Sequence, residues 1–184
     1  DITDDPPHRR AVLELGRSFQ EALLFPSLTT VETIEVALER HLDNRDPVAA
    51  ALHLPASAAS ERSARARAEE LLEVLGLTAF ADRPTGELST GTRRIVELAC
   101  LLAQDPAVVL LDEPTAGVAQ AETEALVPLL RRVREATGCS LVVIEHDMAM
   151  LRGLCDRFVA LEQGRVIAEG PPADVLSDPA VISS

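Results

Sequence analysis

The chain has 184 residues and a formal net charge of −13, and 47% of its residues are hydrophobic although Trp and Tyr do not occur. This length is enough for a domain with a real core, which must be aliphatic because aromatic residues make up 2% of the chain. All 17 basic residues are Arg, and the acidic balance argues against nucleic acid as a partner, because proteins that bind phosphate backbones usually present a basic face. Three cysteines without metal-type spacing indicate free thiols in a reducing compartment. No apolar run approaches the length of a membrane span.

The N-terminal stretch opens with Asp1 rather than Met, so we expect the chain to be part of a longer protein. A Pro-Pro pair favours a helix start, and a short helix is predicted over residues 8–15, closed by Gly16. Residues 17–20 follow as a strand-like or loop segment. Taken alone, Gln20 at the end of this segment is best explained as a solvent-exposed glutamine without a functional role.

A helical segment without strands is predicted between residues 28 and 86. Thr29 and Glu32 have the spacing of a capping box at the start of a helix with apolar residues at helical intervals. Residues 43–63 are rich in Ala, Ser and Pro, which predicts a loosely structured connection. A second amphipathic helix follows and ends at Gly76.

A short segment with the sequence Leu-Ser-Thr-Gly-Thr, at residues 88–92, precedes a helix predicted over residues 93–104. Ser89 is placed to cap this helix. The free N–H groups of a first helical turn also form an anion-binding site. On this pattern alone, a plain cap and an anion site both remain open.

Residues 108–111, Val-Val-Leu-Leu, form an unbroken apolar run that Asp112 and Glu113 follow directly. Such a run predicts a strand buried on both faces of a parallel sheet. In open α/β sheets, ligands bind at the carboxyl ends of the strands, where one carboxylate can hold a metal ion and another can act as a base toward water. The alternative is that these carboxylates only cap the following turn.

The same pattern recurs further along the chain. A helix is predicted over residues 121–137, and Pro128 within it predicts a late start or a kink. A second apolar strand, residues 141–144, then ends shortly before His146. Strand, helix and strand form a βαβ unit with parallel strands, so we expect His146 at the same sheet edge as Glu113.

The C-terminal residues predict a hairpin and a helix. Two short strand patterns, residues 158–161 and 165–168, flank Gly164, which is typical of a β-hairpin. A final short helix is predicted near residues 174–176.

Taken in order, these segments resemble the ATP-binding-cassette (ABC) ATPase domain over essentially the whole chain. Gln20 falls at the Q-loop of this family, residues 88–92 at its signature motif, residues 108–115 at its Walker B segment and His146 at its switch histidine. The resemblance implies an α/β fold, an incomplete P-loop NTPase core with a parallel sheet plus a helical subdomain. The stretches GRSFQ, LFPSLTTVETI and LSTGTRRIVELACLLAQDP look most like ATPases of importers for branched-chain amino acids and similar polar solutes.

The resemblance implies ATP and Mg²⁺ as cofactors and assigns a role to each motif residue. Asp112 would hold Mg²⁺, and Glu113 would polarise the attacking water as general base. His146 would contact the γ-phosphate, and Gln20 would touch Mg²⁺ or the lytic water. Catalysis would then rest on positioning and electrostatics, as phosphoryl transfer requires.

The signature motif implies a second chain. Ser89 and Gly91, with Leu88 and Thr90 beside them, would bind the γ-phosphate of ATP held by a second ATPase domain, so that a dimer has two sites. The resemblance further implies transmembrane permease subunits or a fused permease domain, and a peripheral position on the cytoplasmic face of the cell membrane. Such a domain couples ATP binding and hydrolysis to solute import.

Three subdivisions of the chain follow from the same resemblance. Residues 1–27 would be the Q-loop part of the core, residues 28–95 the helical subdomain with the signature, and residues 96–184 the C-terminal part of the core.

This sequence departs from the family pattern in three places. It contains no P-loop of the G-x-x-x-x-G-K-[ST] type and no Lys, so the chain as given is expected to bind ATP weakly or not at all, with the P-loop upstream of Asp1. Thr90 and Thr92 stand where the signature usually has Gly and Gln, and Ala119 stands at the aspartate position of the D-loop. Two alternatives remain open: a catalytically silent ABC-type partner module, and a soluble non-transport ABC ATPase that acts on nucleic acid or ribosomes.

Overall fold

The computed structural model describes residues 2–18, 24–41, 55–118 and 120–183, and the chain divides into two compact units. The first unit ends at Ile144 and the second begins at Glu145. The first contains a parallel sheet with helices, and the second contains a β-hairpin with short helices. Among the described residues, no helix combines the length and the hydropathy needed to cross a bilayer.

A parallel sheet organises the first unit. In the described part of the chain its strand order is β1 (Leu15–Arg17), β2 (Val108–Asp112) and β3 (Ser140–Ile144), so that β2 is central. In the pairing of β2 with β3, Asp112 at the end of β2 lies opposite Ile144. The predicted α/β class and the parallel βαβ unit are thus confirmed, because a helix carries the chain back between β2 and β3.

Strands β2 and β3 of the parallel sheet differ in how far their apolar side chains are buried. Val109 and Leu111 of β2 are 0% and 4% exposed, whereas Val142 and Ile144 of β3 are 50% and 61% exposed. The prediction of a strand covered on both faces concerned β2, where Val109 and Leu111 on one face are buried but Val108 and Leu110 on the other are half-buried. An apolar run favours a strand, but the elements that pack against it decide which faces are covered.

The helices of the first unit supply an aliphatic core, as the composition predicts. Helix α2 (Thr30–Leu38) packs against α3 (Pro55–Val74) and α4 (Thr90–Leu102). Ile34 of α2, Leu72 of α3 and Val96 of α4 are each at most 2% exposed. In chain order these helices are α1 (Pro7–Val12), α2 (Thr30–Leu38), α3 (Pro55–Val74), α4 (Thr90–Leu102) and α5 (Gln120–Thr137), and 3₁₀ turns occur at Glu39–His41, Thr78–Phe80 and Thr85–Glu87.

The first helix is shorter than predicted. It ends at Val12, and Gly16, which was expected to close it, lies inside β1 instead. The Glu14 carbonyl accepts hydrogen bonds from the N–H groups of Ala107 and Val108, at 2.9 and 3.2 Å. The conformation of residues 14–16 is therefore decided by pairing with a segment about ninety residues away. The local sequence pattern that favours a helix is overridden.

The predicted loose connection over residues 43–63 also needs correction. Residues 43–54 lie outside the described residues, but α3 already begins at Pro55. Proline is favoured in the first turn of a helix, and the Ala and Arg residues that follow it are good helix formers. A composition rich in Ala therefore fits a helix as well as a connection.

The helix α5 runs without interruption from Gln120 to Thr137, with Pro128 inside it, so the late start considered from the sequence is wrong. Proline removes one helical hydrogen bond. The apolar face of α5 offsets this loss by burial on both sides of the proline, through Leu126, Leu129, Leu130 and Val133.

Thr29 caps α2 in the way the sequence predicts. Its hydroxyl accepts from the Glu32 N–H at 3.3 Å, and its own N–H and hydroxyl each donate to Glu32 Oε2 at 2.8 Å. The bond from the Thr29 backbone N–H, followed by the bond from its hydroxyl, lowers the pKa of Glu32 from its ordinary value of 4.5. The reciprocal bonds satisfy N–H groups that a helix start leaves without partners.

Thr29→Val should raise the pKa of Glu32 back toward its ordinary value, because one donor is lost and the cap that orients the other is weakened. Since folding lowers this pKa, the capping box stabilises the fold above pH 4.5, and that contribution is lost as the pH falls through the folded-state pKa. NMR titration of the side-chain carboxyl carbons measures the shift. The exposed Thr78 provides a control, Thr78→Val, that should leave the Glu32 pKa unchanged, and an unaltered value in Thr29→Val would contradict the prediction.

The second unit confirms the predicted hairpin and terminal helix. Gln163 and Gly164 have φ angles of 48° and 78°, the pattern of a type I′ turn, whose twist matches that of two antiparallel strands. The helix α7 (Pro172–Ser177) packs on both strands of the hairpin, and its Val175 is buried. The elements of this unit are α6 (Met148–Leu154), β4 (Phe158–Glu162), β5 (Arg165–Gly170), α7 (Pro172–Ser177) and α8 (Pro179–Ser183).

Candidate functional site

The carboxyl end of β2 places Asp112 and Glu113 at the type of edge where ligands bind in open α/β sheets. Asp112 is the last residue of the strand, and its N–H donates to the Ser18 hydroxyl at 3.2 Å. The Arg17 guanidinium lies 3.4 Å from Asp112 Oδ2. The Asp112 side chain remains 28% exposed, so a further ligand can still reach its carboxylate.

Glu113 follows in a left-handed backbone conformation, with φ at 48°, which residues other than glycine rarely adopt. Its N–H donates to the Ile144 carbonyl at 2.9 Å, and its carbonyl accepts from the Ala116 N–H at 3.0 Å. Such conformations cost about 1–3 kcal/mol each and cluster at functional sites. The same conformation occurs at Gln163 in the hairpin turn, so it describes the turn after β2 and does not by itself mark Glu113 as functional.

The N-terminus of α4 presents the signature residues. Ser89 is the N-cap, as predicted, and its hydroxyl oxygen accepts from the Thr92 N–H at 3.1 Å. Leu88 and Gly91 are buried, whereas Thr90 is exposed. The cap is thus confirmed, and the role of these residues toward a phosphate stays a prediction.

A carboxylate from α5 reaches the same N-terminus. The Ser89 hydroxyl donates to Glu122 Oε1 at 3.0 Å. Gly91 permits this approach, because a Cβ at position 91 would overlap the carboxylate of Glu122. No local sequence pattern predicts this contact, since 33 residues separate its partners.

His146 belongs to the second unit, directly after β3 in the chain. Its side chain is 82% exposed, and its Nδ1 lies 3.6 Å from Glu145 Oε2. The next residue, Asp147, caps α6 by accepting from the N–H groups of Ala149 and Met150. The imidazole is therefore accessible to a ligand, and its expected proximity to Glu113 stays a prediction.

Two predicted functional positions, Gln20 and Ala119, lie outside the described residues. Among the described ones, the structure sets Asp112 beside Glu113 and joins Ser89 to Glu122. Within this part of the chain, no hydrogen bond or ion pair links Ser89 to Asp112 or Glu113. Sequence reasoning missed the Arg17 contact with Asp112, for which the 95-residue separation leaves no local signal.

The thiol of Cys100, on α4, supplies no alternative nucleophile for this site. All three cysteines are thiols without a disulfide bond, as predicted. Burial, followed by the nearby Glu97 carboxylate, raises the pKa of Cys100 to about 12. Because the thiolate is the nucleophilic form of cysteine, this thiol is unreactive at neutral pH.

Comparison with known proteins identifies the family. The model of the ABC transporter family matches residues 1–116, which is more than half of the chain. The chain is an ATPase domain of the ABC transporter family. This ABC domain is also matched at residues 165–184 by the model of the branched-chain amino acid ATP-binding cassette transporter.

Relatives of the ABC domain differ in what their names say they transport. It is 36% identical over 179 residues to the high-affinity branched-chain amino acid transport ATP-binding protein BraF of Pseudomonas aeruginosa, a match that covers 97% of this chain and 70% of BraF. It is 48% identical over 124 residues to the cobalt import ATP-binding protein CbiO of Rhodobacter capsulatus, with coverage of 67% and 44%. The solved structure of cbiO1 from Clostridium perfringens, part of the ABC transporter complex cbiONQ, superposes with a TM-score of 0.74 at 27% identity and coverage of 95% and 62%. The chain thus spans between 44% and 70% of the length of these proteins.

Proposed function

We propose that this chain is the ATP-hydrolysing part of an importer for branched-chain amino acids or similar polar solutes. One observation carries the catalytic role: Asp112 and Glu113 stand together at the carboxyl end of the central strand, where the Glu113 N–H is hydrogen-bonded to the Ile144 carbonyl. A carboxylate pair at this edge can divide the work between a metal ion and a water molecule.

The share of the chain that each match covers supports the proposed class of substrate. The match to BraF covers 97% of the chain, and the branched-chain amino acid model matches the C-terminal residues 165–184. The cobalt import protein CbiO has a higher sequence identity than BraF, but its match covers only 67% of the chain. Coverage including the C-terminus therefore favours an amino acid over a metal ion as the transported solute.

Mg²⁺ fits the chemistry of Asp112. Mg²⁺ is usually held by one or two carboxylates together with substrate phosphates, and does not need a cage of protein ligands. Asp112 offers one partly exposed carboxylate at the strand end, where it already attracts the Arg17 guanidinium. Once bound there with ATP, Mg²⁺ would neutralise charge on the phosphate oxygens.

The remaining residues have distinct roles in this proposal. Glu113 accepts the proton of the attacking water, and its hydrogen-bonded backbone limits the directions in which its side chain can point. The exposed ring of His146 donates to the γ-phosphate. Gln20 touches Mg²⁺ or the water, a role that rests on the resemblance alone.

The signature residues act on a second nucleotide. Ser89 and Gly91, flanked by Leu88 and Thr90, bind the γ-phosphate of ATP held by a second ATPase domain. The N-terminus of a helix of 13 residues favours an anion at this position. The partners in this proposal are therefore a second copy of the domain and transmembrane permease subunits or a fused permease domain, with the chain peripheral on the cytoplasmic face and no nucleic acid bound. The division into residues 1–27, 28–95 and 96–184 stays part of the proposal.

Transport by the full-length protein with its membrane subunits in sealed vesicles tests this function. ATP supplied on the side of the ATPase domain should move radiolabelled leucine toward that side. Movement of cobalt instead would keep the ATPase role and overturn the substrate class. A complex without ATP hydrolysis would overturn the ATPase role and favour the silent partner module that Thr90 and Thr92 suggest.

A further inference from the structure

A carboxylate of the same chain, that of Glu122, lies at the N-terminus of α4, where the phosphate is proposed to bind. Ser89 Oγ accepts from the Thr92 N–H at 3.1 Å and lies 2.9 Å from the Thr92 hydroxyl. It also lies 3.0 Å from Glu122 Oε1. An ionised carboxylate only accepts hydrogen bonds, so the single Ser89 proton is donated to Glu122, and the Thr92 hydroxyl donates to Ser89.

The position of Gly91 explains how the carboxylate fits. Gly91 lies within the first turn of α4 and is buried, and its helical backbone does not by itself require glycine. A Cβ at this position would overlap the carboxylate carbon and both oxygens of Glu122. The close approach of this anion is therefore the contact that glycine permits here.

The chemistry of this contact matches that of the proposed ligand. A carboxylate and a phosphate are both oxyanions, and both are favoured where N–H groups and the positive end of a helix dipole converge. A hydroxyl donor adds a charge-assisted bond to either anion. Glu122 and a phosphate would therefore compete for the Ser89 hydroxyl and for the space beside Gly91.

We infer that Glu122 is an internal occupant of the signature site, and that it must withdraw before the γ-phosphate held by a second copy of the chain can bind there. Glu122 is an exposed residue in the first turn of α5, so its side chain can turn into solvent without breaking the core. The contact thus opposes closure of the two-chain site until ATP is bound. This inference rests on the proposed function of Ser89 and Gly91.

The test measures ATP-dependent dimer formation by the full-length protein in a Glu113→Gln background, which is expected to bind ATP without hydrolysing it. Analytical ultracentrifugation over a series of ATP concentrations gives the midpoint of dimer formation. Adding Glu122→Gln should lower that midpoint about tenfold, the worth of one charge-assisted hydrogen bond. Glu122→Asp keeps the charge but is one methylene shorter, so it should also lower the midpoint.

The neighbouring Glu124 provides the matched control, because it is exposed on the same helix and Glu124→Gln removes the same charge away from Ser89. This variant should leave the midpoint within about twofold. A higher midpoint in Glu122→Gln would overturn the inference, because it would mean that the contact only braces α4, and an unchanged midpoint would overturn it as well. If the Glu113→Gln protein formed no dimer at any ATP concentration, both the inference and the proposed function would fail.

Discussion

Glu113→Gln should lower ATP turnover by the full-length protein about 10²- to 10⁴-fold while ATP binding stays intact, the usual effect of removing a general base. The amide has the size of the carboxylate and still forms hydrogen bonds, but it cannot accept a proton from water. The backbone bonds of residue 113 to Ile144 and Ala116 do not involve the side chain, so the turn after β2 should persist. Phosphate release measures turnover, and equilibrium dialysis measures binding.

Glu135→Gln is the control for this experiment. Glu135 is exposed on α5, and its replacement removes the same charge from a surface position. Turnover in this variant should equal that of the unaltered protein. Unchanged turnover in Glu113→Gln would remove Glu113 from the mechanism, and a loss of ATP binding would show that its carboxylate acts on the nucleotide instead.

Ile34→Ala should lower the free energy of unfolding by about 2–5 kcal/mol, the range for removing a large aliphatic side chain from a packed core. Ile34 is 0% exposed where α2 packs against α3 and α4. Alanine is the better helix former, so the loss would come from the cavity and not from helix propensity. Urea denaturation followed by circular dichroism measures the change.

Val36→Ala, on the same helix, is the matched control. Val36 is 45% exposed, so this truncation should change the free energy of unfolding by at most about 0.5 kcal/mol. Because the chain forms two compact units, amide hydrogen exchange should accompany the urea experiment and show faster exchange in α2 and α4 of Ile34→Ala. Equal effects of the two substitutions would contradict the packing described for α2.

Local sequence signals predicted the elements whose stability depends on near neighbours in the chain. The capping box of Thr29 and Glu32, the Ser89 cap and the hairpin turn at Gly164 each involve residues within a few positions of one another. The apolar run before Asp112 predicted the central strand, and the helix that follows it predicted parallel pairing with β3. The candidate residues Asp112, Glu113 and Ser89 could be named from the sequence because they lie where such elements begin or end.

Local sequence patterns did not predict the features that depend on contacts between distant segments. Gly16 was expected to close a helix, yet it lies in β1 because the chain there pairs with β2. The start of α3 at Pro55 was missed because an Ala-rich segment fits both a helix and a loop. The exposure of Val142 and Ile144 was missed because an apolar run does not specify which of its faces are covered.

By itself, then, the sequence determined the class of the fold, its caps and turns, and which carboxylates and hydroxyls stand at element ends. These features depend on periodicity and on hydrogen bonds within one turn or strand. The tertiary structure alone decided that Arg17 faces Asp112 and that Glu122 reaches Ser89. Those pairs join residues 95 and 33 positions apart, and only the packing of strands and helices against one another sets such distances.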